Sequence, residues 1–93
     1  MLNRNIINIR KELDKLDDKF LILIKKRTQL VSKILSNKRY KKDIIDKKRI
    51  KIIIKNIAKK SKNKKIDPRI TIKIWKTMIR SYIEYEYRNF KKK

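Results

Sequence analysis

Two cations, Arg27 and Lys38, interrupt an apolar seam. From Ile6 the chain repeats apolar residues at steps of three and four, through Ile9, Leu13, Leu16, Phe20 and Leu23. That spacing marks one face of an α-helix. The next steps land on Arg27, Leu30, Ile34 and Lys38, so the cations stand where the period calls for buried apolar side chains. On a helix both point the same way, about 16 Å apart along the axis. An inward cation is costly unless an anion meets it. No carboxylate lies on the seam between them, so the partner must come from another helix or from a ligand. Within the chain each reads as unpaired, so removing either cation should relieve a cost and leave folding intact.

Other charged residues extend the constellation. Arg10 precedes Arg27 by about 25 Å on the same helix, too far to share a small ligand with it. Two long helices packed antiparallel in a dimer would bring Arg10 of one chain to the site of the other. Asp46 and Arg49, three residues apart, share a helix face. Glu86 lies on the stripe of Trp75, Ile79 and Tyr82. If these groups converge, they make a cationic pocket with an aspartate and a glutamate, and with no nucleophile–base pair or metal cage. Such a pocket suits a small dianion and electrostatic catalysis more than covalent chemistry. Each residue also has a plainer reading. Arg27 can snorkel from the seam, Lys38 can compensate a helix dipole, and Asp46 can be an N-cap. Arg49, Arg10 and Glu86 can form ordinary surface pairs. Asp14 and Asp17 read as structural, and Trp75, Tyr82, Tyr85 and Tyr87 as core and rim.

Three helices must position these groups. The first spans about residues 3–38 with no Gly or Pro; at roughly 54 Å it exceeds the width of a compact globule of this size and needs a partner along its length. The second spans about residues 46–61, with apolar positions at Ile45, Ile50, Ile53, Ile54 and Ile57. The run at residues 52–54 also has strand composition, but its lysine-rich flanks and lack of turn residues favour a helix. The third begins at Asp67, a good N-cap, with Pro68 at the first helical position, and continues to about Phe90. Polar links at about residues 39–45 and 62–66 join them. The expectation is an all-α chain of one long and two shorter helices, a single domain over residues 1–93, paired as an intertwined antiparallel homodimer.

Composition narrows the chemistry. The chain has 93 residues, no Cys, His or Gly, and a net charge of +22. That leaves no disulfide framework, thiolate nucleophile or Gly-rich phosphate loop. No apolar run approaches a membrane span, and Asn3, Arg4, Asn5 and Asn8 interrupt any signal-peptide core; a cytoplasmic protein is expected. The charge invites a nucleic-acid reading. However, Lys, Ile, Asn, Tyr and Phe have A/T-rich codons, whereas Gly, Ala and Pro have G/C-rich ones, and compositional drift displayed on solvated faces accounts for most of it.

The chain resembles the all-helical chorismate mutases over nearly its full length. The opening Ile9-Arg10-Lys11-Glu12-Leu13-Asp14-Lys15-Leu16-Asp17 is similar to the family's start. Residues 21–30, with Arg27 inside, resemble the next block, and Lys38 follows at the expected interval. Asp46-Lys47-Lys48-Arg49 resembles the family's Asp-x-x-Arg; Asp67-Pro68 and the stripe through Trp75, Ile79 and Glu86 resemble helix three. The resemblance implies a pericyclic rearrangement of chorismate to prephenate, with no cofactor or metal. It implies that Arg27 and Arg10 of the partner subunit bind one carboxylate, and that Arg49 helps hold the acidic end groups. Lys38 would donate to the ether oxygen and Asp46 would accept from the ring hydroxyl. Glu86, where the family carries Gln or Glu, would donate to the same ether oxygen. Two departures stand out. Ile50 replaces the family's Glu after the Asp-x-x-Arg arginine, which should weaken substrate binding, and the helix-three serine falls at Ser81 or at Tyr82.

The leading expectation is a dimeric mutase binding a small molecule, without nucleic-acid or membrane partners. A basic helical protein binding nucleic acid or an anionic surface is one alternative, with cations on an outer stripe and steep salt dependence. An isochorismate pyruvate lyase on the same scaffold is the other.

Overall fold

A computed structural model describes residues 3–91. Among the described residues the chain is all-α: α1 at Arg4–Ser36, α2 at Lys47–Asn63 and α3 at Pro68–Asn89, with a 3₁₀ turn at Lys41–Asp43. It divides between Leu30 and Val31 into two compact units. No described helix is long and apolar enough to cross a membrane.

In the first unit, α1 opens with Asn3, whose Oδ1 accepts the Ile6 N–H at 2.9 Å, a standard N-cap bond. Its seam residues Ile9, Leu13, Leu16, Phe20, Leu23 and Leu30 are each more than half exposed.

The second unit begins with the end of α1. The helix stops at Ser36, two residues before the expected end, so Lys38 lies beyond it. The cause is local. The last turn tightens to three-residue bonds, Asn37 N–H to the Ile34 carbonyl and Lys38 N–H to the Leu35 carbonyl, both at 3.0 Å. The side chains of Ser36 and Asn37 both donate to the Lys33 carbonyl, competing for the acceptors that would continue the helix. The 3₁₀ turn is closed at Tyr40, whose N–H donates to Asp43 Oδ2 at 3.3 Å. The tighter turn shifts the apolar phase: Ile44 is buried, while Ile45, the expected inward residue, is exposed.

α2 starts at Asp46, which accepts the Arg49 N–H at 3.0 Å. The run at residues 52–54 is helical, with Ile53 and Ile54 half-buried and Ile52 exposed. Ile50, Ile57 and Ala58 continue the half-buried face, while Lys48, Lys51, Lys55, Lys59 and Lys62 are exposed. α2 packs against α3. At their junction the buried Ser61 hydroxyl donates to the Ile57 carbonyl and meets Thr71 Oγ1, each at 2.6 Å. α3 starts at Asp67, which accepts from the Arg69 N–H and grips its guanidinium. The Arg69 side chain, and then its backbone N–H, hold the Asp67 carboxyl below the usual range. Because the folded value is depressed, this cap stabilises above the unfolded carboxylate pKa of about 3.9 and is lost as pH falls through the lower folded value.

α2 ends in a Schellman arrangement. The Ile66 N–H reaches the Ser61 carbonyl at 2.8 Å and the Lys65 N–H reaches that of Lys62 at 3.1 Å. The residue between helix and exit must be left-handed, and with no glycine in the chain Lys65 takes φ 59°. A side chain there costs about 1–2 kcal/mol, partly offset by the greater unfolded-state freedom of glycine. Lys65→Gly is therefore expected to stabilise the fold by about 0.5–1 kcal/mol, seen as a higher urea midpoint at unchanged slope.

Candidate active site

Lys38 receives its counter-charge from another helix. Its Nζ donates to Glu86 Oε1 on α3 at 2.9 Å, and the side chains are 19% and 8% exposed. The same Nζ lies 3.4 Å from the Ile44 carbonyl, and the Lys38 N–H donates to the Leu35 carbonyl. The buried residues among those described are Leu35, Ile44, Ser61 and Glu86. Lys38 is hydrogen-bonded to all of them but Ser61, through its backbone N–H to Leu35 and through its ammonium to Ile44 and Glu86. Lysine has three N–H groups; Glu86 and Ile44 take two, which leaves one for a further acceptor.

Glu86 is buried, accepting a hydrogen bond from Lys38 in this state. To donate to a ligand instead, its carboxyl must carry a proton. One residue earlier, Tyr85 Oη meets Ser32 Oγ of α1 at 2.8 Å, and one turn earlier the Tyr82 ring stands edge-on to Tyr85, with centroids 6.4 Å apart. Tyr82 is half-buried. Ser81 is exposed and its hydroxyl donates to the Thr77 carbonyl at 3.0 Å, so on α3 it is Tyr82 that shares the inward face with Glu86.

The remaining expected residues are spread over both units. Asp46 and Arg49 are exposed at the head of α2, joined by the capping bond to the Arg49 backbone; Ile50 beside them is half-buried. Arg10, exposed, and Arg27, half-buried, belong to the unit that ends at Leu30. Ser32, Tyr85 and the Ile44 carbonyl were not among the candidate residues. A hydroxyl pair has no spacing signature, and a backbone carbonyl leaves no mark in side-chain identity.

The pair reverses the expectation that Lys38 is an unmatched cation whose removal relieves a cost. Lys38→Met leaves the Glu86 carboxylate buried without its cation. Breaking a fully buried pair costs about 3–5 kcal/mol; with Lys38 partly exposed, about 1–3 kcal/mol is expected. Lys38→Met combined with Glu86→Leu should recover more than half of that loss, because no buried charge remains. Urea midpoints of the single and double variants provide the check.

The chorismate mutase type II family model matches residues 9–87. No curated protein and no solved structure matches the chain. The family match runs from the first unit through the second and takes in Arg10, Arg27, Lys38, Asp46, Arg49 and Glu86. The chain is a member of the chorismate mutase type II family, a family of isomerases.

Proposed function

We propose that this chain is a chorismate mutase acting as a homodimer, supplying prephenate for phenylalanine and tyrosine synthesis in the cytoplasm. The observation that carries the reading is the contact between Lys38 and Glu86. The family resemblance assigns both residues to one substrate atom, the ether oxygen, and their terminal atoms lie 2.9 Å apart.

The rearrangement breaks the ether C–O bond as a C–C bond forms, within one molecule. It needs a compact substrate conformer and donors aimed at the oxygen that gains negative charge. In this reading Arg27 and the partner subunit's Arg10 hold one carboxylate, Arg49 helps hold the acidic end groups, and Asp46 accepts from the ring hydroxyl. Ser81 and Tyr82 are the candidates for the helix-three contact. Lys38 donates to the ether oxygen, and Glu86 joins it when protonated. Ile50 offers no hydroxyl contact, so substrate binding is weaker than in members with Glu there.

The exposed seam of α1 supports pairing. Fully burying an aliphatic or aromatic side chain is worth about 1.5–3 kcal/mol. With about half of that still to be gained, six seam residues offer roughly 5–9 kcal/mol per chain, or 10–18 kcal/mol for two. Association costs about 4–15 kcal/mol, so the available gain is of the size that pairing requires. Each chain, residues 1–93, then contributes one helical domain to a pair with two sites.

The direct test incubates the purified chain with chorismate and follows its loss and prephenate formation. Arg10→Ala and Arg27→Ala homodimers should each lose about a hundredfold or more in turnover. Mixed chains should regain activity, because both lesions can fall in one site and spare the other. No prephenate from the wild type sinks the mutase reading, and pyruvate released from isochorismate instead would favour the lyase. Failure of the mixed chains to recover would remove Arg10 from the partner's site.

The donor role of Glu86 has its own check. Glu86→Gln keeps an N–H donor at this position and should keep turnover, whereas Glu86→Ala should lose about tenfold or more. Wild-type turnover in Glu86→Ala would remove Glu86 as a donor.

A further inference from the structure

Ser32 and Tyr85 lie outside the residues that the proposed mechanism uses, yet they form a side-chain bond between α1 and the segment of α3 that carries Glu86. Their hydroxyl oxygens are 2.8 Å apart and partly buried. Tyr85 directly precedes Glu86, and Ser32 precedes Lys38 by six residues. All four belong to the unit that begins at Val31. Tyr85 is braced in turn by Tyr82, with the rings at 84° to each other.

An ion pair between two long side chains is a single, compliant attachment. The helix that carries Glu86 can rotate about its axis while rotamers of Lys38 and Glu86 follow, keeping the pair but moving both donors. A second attachment, at an adjacent residue on α3 and six residues back along the chain, on α1, removes that freedom. Tyrosine is suited to the task, since its ring has only two side-chain torsions to order. Because one peptide joins Tyr85 to Glu86, fixing the Tyr85 hydroxyl limits the direction in which the Glu86 side chain leaves α3.

We propose that Ser32 and Tyr85 are positioning residues: their hydroxyl bond sets the rotation of α3 against the end of α1, so that Glu86 and Lys38 present their donors to one point. The consequence for turnover rests on the mutase reading; the consequence for the ion pair does not.

Tyr85→Phe keeps the ring against Tyr82 and removes only the hydroxyl. It is expected to lower kcat about tenfold with KM within about twofold, the signature of misaligned donors under intact binding. Ser32→Ala should match it, and Ser32→Thr, which keeps a hydroxyl, should restore most of the loss. A merely structural bond would lower the urea midpoint and leave kcat of the folded enzyme unchanged. A second arm needs no activity. The urea midpoint shifts of Tyr85→Phe and Glu86→Gln should be less than additive in the double variant, because each change loosens the alignment that the other depends on. Normal kcat in Tyr85→Phe, or additive midpoint shifts, overturns the proposal. If the wild type makes no prephenate, the mutase reading falls, and the midpoint cycle still decides whether the hydroxyl bond supports the ion pair.

Discussion

A carboxylate taken out of water must find a cation or hydrogen-bond donors, or it carries a desolvation cost larger than most single stabilising contacts in a small protein. Among the described residues Glu86 is the one buried acidic residue, and Lys38 meets it at 2.9 Å. Much of the second unit's geometry follows from that requirement. α1 stops at Ser36, which frees the chain to turn back at Lys41–Asp43. The turn buries Ile44 and offers its carbonyl to the same ammonium. α3, packed against α2, brings Glu86 from the other side. A buried pair of this kind adds little net stability over an apolar pair. Its value lies in orientation, because two polar groups that must satisfy each other accept few arrangements.

The apolar load of the chain is distributed differently. Large aliphatic residues line α1 from Ile6 to Ile34, and most are exposed, whereas the buried set among the described residues is small and half polar. A chain that left this surface in water would forgo most of its available hydrophobic stabilisation and would expose a long sticky stripe. Pairing through α1, as proposed, uses the stripe for folding and function together. In the proposed dimer the same helix would carry Arg10 for one site and Arg27 for the other. The absence of glycine has its own structural cost at Lys65, where a lysine takes a backbone conformation that glycine would adopt freely.

The helices were legible because periodicity and caps agreed. Asp46 and Asp67 cap α2 and α3 through their side chains, and Pro68 begins α3, as the sequence predicts. The ambiguous isoleucine run at residues 52–54 resolved as helix because its neighbours keep the helical period on the half-buried face. The end of α1 was less legible, since Ser36 and Asn37 compete with the backbone for the same carbonyl and the seam pattern carries no trace of that. The phase error at Ile44 and Ile45 has a similar origin, a single 3₁₀ turn inserted between two α-helical registers. At the site, the inward cation at position 38 was visible as a break in the seam and Glu86 as a polar residue on an apolar stripe. That these two meet each other was not visible, because the contact spans 48 residues and no local pattern encodes it. The Ser32–Tyr85 bond is hidden for the same reason.

Lys38 is held by protein groups in the free chain, and in the proposed mechanism it turns one donor toward a ligand oxygen when a compact dicarboxylate binds. The most direct measurement is calorimetric titration with a rigid, ether-bridged bicyclic dicarboxylate shaped like the compact conformer. Such transition-state mimics bind about a hundredfold or more tighter than substrates. The account predicts one molecule bound per chain, with affinity falling by about a hundredfold in Lys38→Ala. No binding to the wild type, or equal affinity in Lys38→Ala, would contradict it.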